Sequence, residues 1–488
     1  MSVDRRTVLK SSAAVAAAGP FAGLVAAPAE ARKAPLAAGL VPVPDERDGA
    51  VRLHLPRGFR YRSFHDTTQT VTLTDGTLLP GRHDGMGAFE GPGSTVLLVR
   101  NHEVNNPTPA FGPGVPYDSQ GGGGTTTIQV TKKGNVIRSF TSLNGTMMNC
   151  SGGQMPWGSW VTCEETVNGP DVGPDFTGRS NVPLTQRHGY IFEVPVSRFP
   201  GEGQSSRQPI RNAGRFAHEA VSFDPVNGHL YLTEDNFGFA SGFYRYTPPS
   251  DPMEVGRLED GGVLEMLRVV GLPNAHLEAE QLDDTVYDVD WVVIANPDVA
   301  YPYTPGVTAP TPNDTAIVHV GSQGWLLGAA HFSRLEGQVY DDGIVYFTAT
   351  QGGGAAETGT QAGGTPGYGN GSGQVWAYDI AAQTLRVVFQ SPGPMTLDLP
   401  DNITTSPQGT LVVCEDSSGD NYLRGLSPDG EIWDIALNRL RSAAGAPRFG
   451  EEFAGSTFSP DGHTLFVNIQ ASAGLTFAIW GPWESIGA

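Results

Sequence analysis

One short unit of sequence recurs along the chain and constrains its fold more than any other feature. Each copy is a run of β-branched or aromatic residues, the composition of a half-buried strand, that ends in polar side chains. The copies read LLVRNHE (97–103), WGSWVTCEET (157–166), LYLTEDN (230–236), VYFTATQ (345–351), LVVCEDS (411–417) and LFVNIQ (465–470). Four of the six end in acidic residues, so the repeats predict both β-structure and a clustering of negative charge.

A tight turn precedes nearly every copy, and another short strand precedes each turn. The turns are marked by dipeptides such as Asn227-Gly228 and Asp461-Gly462, in which Gly or Asn accepts a positive φ. The earlier strands often begin at a carboxylate: Glu90, Glu219, Glu336, Asp401 and Glu452. A hairpin brings the start of its first strand beside the end of its second. Six such hairpins around an axis predict an all-β, six-bladed β-propeller with loop insertions and a polyacidic site at one mouth.

The N-terminus is typical of an export signal. Asp4-Arg5-Arg6 is a twin-arginine pattern, and an Ala-rich stretch follows it up to the small-residue pattern Ala29-Glu30-Ala31. The apolar run is too short and too interrupted by Gly and Pro to favour a membrane anchor. We therefore expect residues 1–31 to be a twin-arginine signal peptide, and the protein to be periplasmic or extracellular.

The remaining residues, 32–488, are predicted to form a single propeller domain. The spacing between repeats is longest between 235 and 350, which predicts an insertion at about 251–335. The last strand pattern, near 476–483, could close the ring against the N-terminal strand at 53–64. A closed propeller needs no partner copy, so a monomer is the default expectation.

The net charge of the chain limits the classes of partner that it can bind. The chain has 51 acidic and 30 basic residues and a formal net charge of −21. Such a surface repels nucleic-acid backbones and anionic membranes, so we expect neither nucleic-acid binding nor membrane insertion. The excess acid suits a protein that gathers hard cations, and it equally suits simple solubility outside the cell.

The three cysteines allow two readings. Two of them could form a disulfide in an oxidising compartment. Cys163 and Cys414 occupy equivalent places in two repeats, and each is followed by Glu, whereas Cys150 lies outside these strands. We favour a thiolate metal ligand at Cys163, because two carboxylates adjoin it.

Carboxylates packed at one mouth would repel one another and stay partly protonated unless cations neutralised them. Oxygen ligands suit Ca²⁺, and a single thiolate among them indicates one softer metal such as iron or zinc. His102 and His218 each precede an acid of the site. Because neighbours in a strand point to opposite faces, these histidines are expected to pack rather than to bind metal.

Taken together, these pieces resemble the PhoX-type alkaline phosphatases, which are exported by the twin-arginine route. The matching segments are Asn101-His102-Glu103, 149–165, Phe216-Ala217-His218-Glu219, Thr233-Glu234-Asp235, Arg334-Leu335-Glu336, Pro400-Asp401-Asn402 and Gly481-Pro482-Trp483. They span nearly all of the chain after the signal. The resemblance implies a six-bladed propeller, a multi-metal cluster of Ca²⁺ and Fe³⁺, and hydrolysis of small phosphomonoesters.

The resemblance also implies roles for individual residues. The expected metal ligands are Cys163, Glu219, Glu336 and Asp401, and the acids expected near the cluster are Glu103, Glu164, Glu234, Glu415 and Glu452. Arg334 resembles the arginine that holds the substrate phosphate, and a salt bridge to Glu336 or another acid of the ring is its alternative role. Gln154 stands where a phosphate-contacting lysine is expected, and its neutral amide can donate a hydrogen bond but adds no charge.

Two other functions fit a propeller of this kind. A calcium-dependent lactonase or esterase would need calcium without iron, and would act on lactones rather than phosphate esters. A non-catalytic propeller would bind a ligand through its mouth and use calcium only for stability.

Overall fold

A computed structural model describes residues 39–282, 285–363, 367–427 and 430–488. The predicted signal peptide, residues 1–31, lies outside the described residues. In the described part, regular structure is almost entirely β, with three short α-helices, α1 (Pro252–Val255), α2 (Asn313–Ile317) and α3 (His319–Leu326), and two 3₁₀ helices at Arg211–Ala213 and Trp483–Ile486. None of these helices is long and apolar enough to cross a membrane.

The strands of the described ranges are short and follow one another closely along the chain. In order they are β1 (Val41–Pro44), β2 (Val51–Leu55), β3 (Arg60–Phe64), β4 (His83–Glu90), β5 (Thr95–His102), β6 (Gly123–Thr131), β7 (Val136–Thr146), β8 (Asn149–Met155), β9 (Ser159–Glu164), β10 (Ile191–Pro195), β11 (His218–Phe223), β12 (Leu230–Glu234), β13 (Phe243–Thr247), β14 (Val263–Val269), β15 (Val286–Val293), β16 (Leu335–Asp341), β17 (Ile344–Ala349), β18 (Gln374–Asp379), β19 (Thr384–Gln390), β20 (Pro400–Thr405), β21 (Leu411–Glu415), β22 (Tyr422–Leu426), β23 (Ile432–Asn438), β24 (Phe453–Phe458), β25 (Thr464–Ile469) and β26 (Leu475–Trp480).

These strands form antiparallel sheets of consecutive hairpins. The sheet orders are β4-β5-β6-β7, β8-β9-β10, β11-β12-β13-β14-β15-β19-β18-β17-β16, β20-β21-β22-β23-β2-β1 and β24-β25-β26-β3. The N-terminal strand β3 completes the sheet of the C-terminal strand β26, with Ser63 opposite Phe477. The predicted closure of the chain on itself is therefore confirmed.

The first strand of each hairpin lies at the centre of the molecule. The strands β4, β8, β11, β16, β20 and β24 each contact the next in this order, and β24 contacts β4. We call these six the inner strands. Their closed ring, with the sheets radiating outward, confirms the predicted all-β, propeller-like fold.

The core lies between neighbouring sheets, which explains why the repeats are apolar on both faces. In β5, Leu98 packs in one cluster with Phe466 of β25, whereas Val99 packs in another cluster with Trp160 of β9. Alternate side chains of a strand point to opposite faces, so each sheet is buried against a neighbour on both sides.

The insertion supplies two strands rather than a separate body. In the predicted range 251–335, β14 extends the sheet from β13, and β15 pairs with both β14 and β19. The pairing joins two successive hairpin groups into the nine-stranded sheet. The strands β14 and β15 therefore lie at the rim of the sheet, away from the inner strands.

Every inner strand carries a β-bulge near its start. The pairing register shifts between His83 and Met86 in β4, and at the corresponding place in β8, β11, β16 and β20. In β24 the shift comes one residue later, between Ala454 and Thr457. A bulge inserts an extra residue and re-aims the local side chain. This repeated irregularity determines which side chains face the axis.

Candidate metal centre

Acidic side chains gather at the end of the axis where the inner strands begin. They line a cavity of about 520 Å³, which we call the acidic mouth. Its nine acids are Asp84, Glu103, Glu165, Glu219, Asp235, Glu336, Asp401, Asp416 and Glu452. Cys150, Arg82 and Arg334 also line it.

Three positions in each hairpin build this mouth, and the backbone repeats them around the ring. The pre-strand position directly precedes the inner strand, the bulge position is the second residue of the inner strand, and the post-strand position directly follows the second strand. The N–H of the post-strand residue donates to the carbonyl of the pre-strand residue in every hairpin, for example from Glu103 to Arg82 at 3.0 Å and from Glu165 to Met148 at 2.9 Å. The same bond links Asp235 to Ala217, Thr350 to Arg334, Asp416 to Leu399 and Gln470 to Glu452.

The bulge positions hold the centre of the site. In chain order they are Asp84, Cys150, Glu219, Glu336, Asp401 and Ala454. The Cys150 sulfur and carboxylate oxygens of Glu165 and Glu219 lie within 4.8 Å of one another. Oxygens of Glu219, Glu336 and Asp401 form a second such group, so Glu219 belongs to both.

The electrostatics of these groups favour bound cations. Burial, together with repulsion by Glu336, Asp401 and other acids, raises the pKa of Glu219 well above its usual value. Burial and neighbouring charges, Asp416 foremost, raise the pKa of Asp401 to about 7. Burial and the charges of Glu219 and Glu165 likewise raise the pKa of the Cys150 thiol. Cations would neutralise this repulsion, and a donor set of carboxylates with one thiol fits hard cations beside one softer metal.

Three of the predicted acids lie near the mouth but face away from it. Glu164 accepts hydrogen bonds from the Met147 and Gly189 N–H groups, both at 2.9 Å, and from His188 Nδ1 at 2.6 Å. These contacts hold the loop that leads to β10. A carboxylate so fully engaged braces the fold, and Glu164, which was predicted near the cluster, does not line the mouth.

Glu234 and Glu415 repeat this bracing role. Glu234 accepts from the Gly242 N–H at 2.9 Å and from the Tyr244 hydroxyl at 2.7 Å. Glu415 accepts from Arg424 Nε at 2.8 Å and from the Tyr422 N–H at 3.1 Å. Both end their strands, so they point to the opposite side from the next residue.

The residue after each of these acids is the one that faces the mouth. Glu165, Asp235 and Asp416 occupy post-strand positions and line the cavity. In each of these three repeats the predicted acid directly precedes the acid that lines the cavity. The sequence contains a signal for the correct position. The first repeat, Asn101-His102-Glu103, has a single acid at the post-strand position, which aligns with the second acid of each doublet.

The predicted thiolate ligand is also displaced. Cys163 lies in the middle of a hydrophobic cluster, fully buried, opposite Ile191. Cys150 is the cysteine at the mouth, and its Sγ lies 3.2 Å from the His218 carbonyl oxygen. Cys150, Cys163 and Cys414 are all buried free thiols, so the structure contains no disulfide among the chain's three cysteines, all of which are described.

Arg334 lies where the prediction places it, with charged partners. Its Nη2 is 2.8 Å from Asp235 Oδ2 and 2.9 Å from Glu336 Oε1, and its guanidinium lies 5.5 Å from the Phe237 ring centroid. Its φ of +37° is strained for a side-chain-bearing residue, a feature common where a site is preorganised. The anticipated salt bridge and a cavity-lining position therefore coexist.

Arg82 is a residue of the mouth that sequence reasoning missed. It occupies the pre-strand position of the first hairpin, as Arg334 does in the fourth, and its φ is +48°. Its Nε lies 3.1 Å from Glu103 Oε2. The signal was the match between Arg82-His83-Asp84 and Arg334-Leu335-Glu336.

Gln154 and Glu90 lie at the other end of the axis. Gln154 is in β8, four residues beyond Cys150, which is roughly 13 Å along an extended strand. It lines a separate cavity of about 680 Å³, and its Nε2 is 3.4 Å from Thr457 Oγ1. Glu90 ends β4 and lines the same cavity. Neither residue is brought to the acidic mouth, because the inner strands run from one end of the axis to the other.

The other predicted residues do reach the mouth. Glu103 accepts from Arg82 and from Asn105 Nδ2 at 2.7 Å, and Glu452 occupies the pre-strand position of the last hairpin.

The two histidines that were predicted to pack rather than to bind metal are buried and hydrogen-bonded locally. His102 Nδ1 lies 2.9 Å from the Gly81 carbonyl, and His218 Nε2 lies 3.0 Å from the Gly214 carbonyl.

Several solved structures are similar to this one. The structure of Pseudomonas fluorescens PhoX in complex with vanadate, a transition-state analogue, matches with a TM-score of 0.63 and 18% identity over 92% of this chain and 99% of that one. A gluconolactonase of Xanthomonas campestris (12% identity, 91% and 98% covered, TM-score 0.39) and virginiamycin B lyase of Staphylococcus aureus (12%, 86% and 99%, 0.37) match more distantly.

Sequence comparison addresses the family directly. No curated protein matches the chain. The family model described as alkaline phosphatase PhoX matches residues 39–138 and 124–473, which is most of the chain. The chain belongs to the PhoX alkaline phosphatase family, whose activity is the hydrolysis of phosphoric monoesters.

Proposed function

We propose that this protein is a metal-dependent phosphatase that hydrolyses small phosphomonoesters outside the cytoplasm. The observation that carries the proposal is the pair of overlapping groups at the acidic mouth, which share Glu219 and bring one thiol together with carboxylates. Such a set is costly to bury without cations, so its assembly is best explained by metal binding.

The cofactors we propose are Ca²⁺ and Fe³⁺. Cys150, Glu165 and Glu219 would hold the softer metal, because only this group offers a thiolate. Glu219, Glu336 and Asp401 offer oxygen alone, which suits Ca²⁺. When bound, these cations supply Lewis acidity toward phosphate oxygens and lower the pKa of a coordinated water.

The chain's own contribution is substrate binding and orientation. Asp235 and Glu336 fix the guanidinium of Arg334 at the cavity wall, with donors left over for a ligand. A guanidinium offers five donors in a planar fork, and two of them can bind a phosphate bidentately. Arg334 would thus hold the phosphate and offset its charge as the ester bond breaks.

We further propose that the sheets amount to six blades in a single domain, residues 32–488. The support is that the nine-stranded sheet contains two inner strands, β11 and β16, and two bulges, so that β15 and β19 join two blades at the rim. Export through the twin-arginine route is proposed from Arg5-Arg6 and the cleavage pattern at 29–31. The closed ring supports a monomer, and the net charge of −21 opposes nucleic-acid binding.

The proposal is tested by assaying a chromogenic phosphomonoester at alkaline pH with protein folded and exported in a twin-arginine-competent host. Glu219→Gln should abolish turnover and lower the bound metal, because Glu219 serves both groups. Glu90→Gln is the matched control, since it alters an acid at the opposite end of an inner strand. Metal-loaded wild-type protein that turns over no phosphate ester would refute the proposal, and turnover of a lactone instead would establish the lactonase alternative.

A further inference from the structure

Arg82 is a charged residue of the acidic mouth that the proposed mechanism does not use. Its side chain is 31% exposed, compared with 15% for Arg334, and both line the acidic mouth. In described residues, no lysine lines this cavity, and Gln154 lies at the far end of the axis. Arg82 is therefore a partly exposed guanidinium at the wall of an acidic cavity, and the proposed mechanism gives it no role.

Arg82 and Arg334 are equivalent in the internal repeat. Both occupy the pre-strand position, both adopt a positive φ, and both accept the same backbone bond from a post-strand residue. Each guanidinium pairs with a post-strand carboxylate, Arg82 with Glu103 of its own hairpin and Arg334 with Asp235 of the preceding hairpin. Met148 and Leu399 share the positive φ at the same position, so the backbone conformation belongs to the repeat, and the arginine side chain is particular to these two of the six hairpins.

The order of the inner strands places the two arginines on opposite sides. Around the ring, β4 follows Arg82 and β16 follows Arg334, with β8 and β11 between them on one side and β20 and β24 on the other. The two ligand groups draw on β8, β11, β16 and β20, together with the residue that follows β9. Arg82 therefore lies at a part of the mouth that contributes no residue to either ligand group.

We propose that Arg82 is a second phosphate-binding side chain, which contacts the ester from the side opposite Arg334. This inference rests on the proposed function and deepens it. Two guanidinium groups on opposite walls can hold separate oxygens of one phosphate, and Glu103 keeps the Arg82 fork in place through Nε and Nη2. The site would then recognise the phosphate group itself through two fixed guanidinium groups, whatever alcohol is attached to the phosphate.

The alternative role for Arg82 is to neutralise Glu103 without touching substrate. The chain offers a matched control for this role in Arg424. Its Nε lies 2.8 Å from Glu415, the acid that ends β21, and it does not line the mouth. An Arg424→Gln variant therefore removes a comparable arginine–carboxylate pair without altering the cavity.

The test measures binding of inorganic phosphate to metal-loaded protein by calorimetry, beside the metal content of each variant. Arg82→Gln should weaken phosphate binding about 10- to 100-fold, the usual effect of losing a charged hydrogen bond, with metal content unchanged. Arg82→Lys should restore part of the affinity, and Arg424→Gln should bind phosphate as the wild type does.

Two outcomes would overturn the inference. One is unchanged phosphate affinity in Arg82→Gln while Arg334→Gln binds weakly, which would leave the proposed function intact. The other is loss of metal in Arg82→Gln, which would assign Arg82 to positioning Glu103. Failure of the proposed function itself would look different, because wild-type protein would then bind metal without binding phosphate or turning over an ester.

Discussion

Glu164 and Glu165 are adjacent in sequence, yet the structure gives them opposite tasks, and exchanging each for glutamine should separate these tasks. Glu164 accepts four hydrogen bonds from groups in and around the loop before β10, including the His188 ring and the Tyr190 N–H. Glu165 lines the acidic mouth and is one of the group that contains Cys150.

The expected changes in the free energy of unfolding follow from these contacts. Glu164→Gln turns one acceptor oxygen into an NH₂ group that faces donors, and it breaks a buried contact to His188. We expect the free energy of unfolding of the metal-free protein to fall by about 3–5 kcal/mol, the usual cost of breaking a buried ion pair. Glu165→Gln should leave this free energy unchanged or slightly higher, because burial and the charges of Asp235 and Glu103 already raise the pKa of Glu165 well above its usual value.

The assay is denaturant unfolding of chelator-treated protein, with metal content measured separately on the loaded protein. Glu165→Gln should lose metal and keep its stability, and Glu164→Gln should lose stability and keep its metal in the fraction that folds. The reverse pattern would refute the register that we assign to the strand ends. Loss of metal from both variants equally would refute the division of roles between the two positions.

Three further predictions follow from particular residues. Two acids raise the pKa of His188 to about 9 despite its burial. Protonated His188, paired with Glu164 and Asp118, should therefore stabilise the fold by roughly 3 kcal/mol below about pH 6.5, and this contribution should be lost as the pH rises through 9. The measurement is the difference in unfolding free energy between wild type and His188→Gln across this pH range. Cys150→Ser should lose iron but keep calcium by elemental analysis, whereas Cys163→Ala should keep both and lose only about 1 kcal/mol of stability. Gln154→Lys should leave phosphate affinity unchanged in calorimetry, and a gain would contradict its place at the far end of the axis.

The sequence by itself determined the class of fold and the crowding of acids. Period-two runs such as 411–417, each after a Gly-containing turn, specify hairpins locally, because alternation and turn chemistry act between near neighbours. Repetition of one hairpin specifies a ring, because each sheet needs a neighbour on both faces. Glu219, Glu336 and Asp401 could be identified for the same reason: a hairpin returns its second strand to the start of its first.

Only the tertiary structure decided which side chain of each repeat faces the mouth. A strand end can present either of two successive residues, and the choice between Glu164 and Glu165 depends on a bulge in the partner strand, β8, which the composition of β9 does not encode. Cys150 reaches the site for the same reason, since it lies in the bulge beside Glu219 and lines the mouth, whereas Cys163 is paired regularly opposite Ile191 and does not. Register is a property of two paired strands and of the ring they build. One run of residues therefore predicts that a strand exists, and the strands paired with it determine which of its side chains face the mouth.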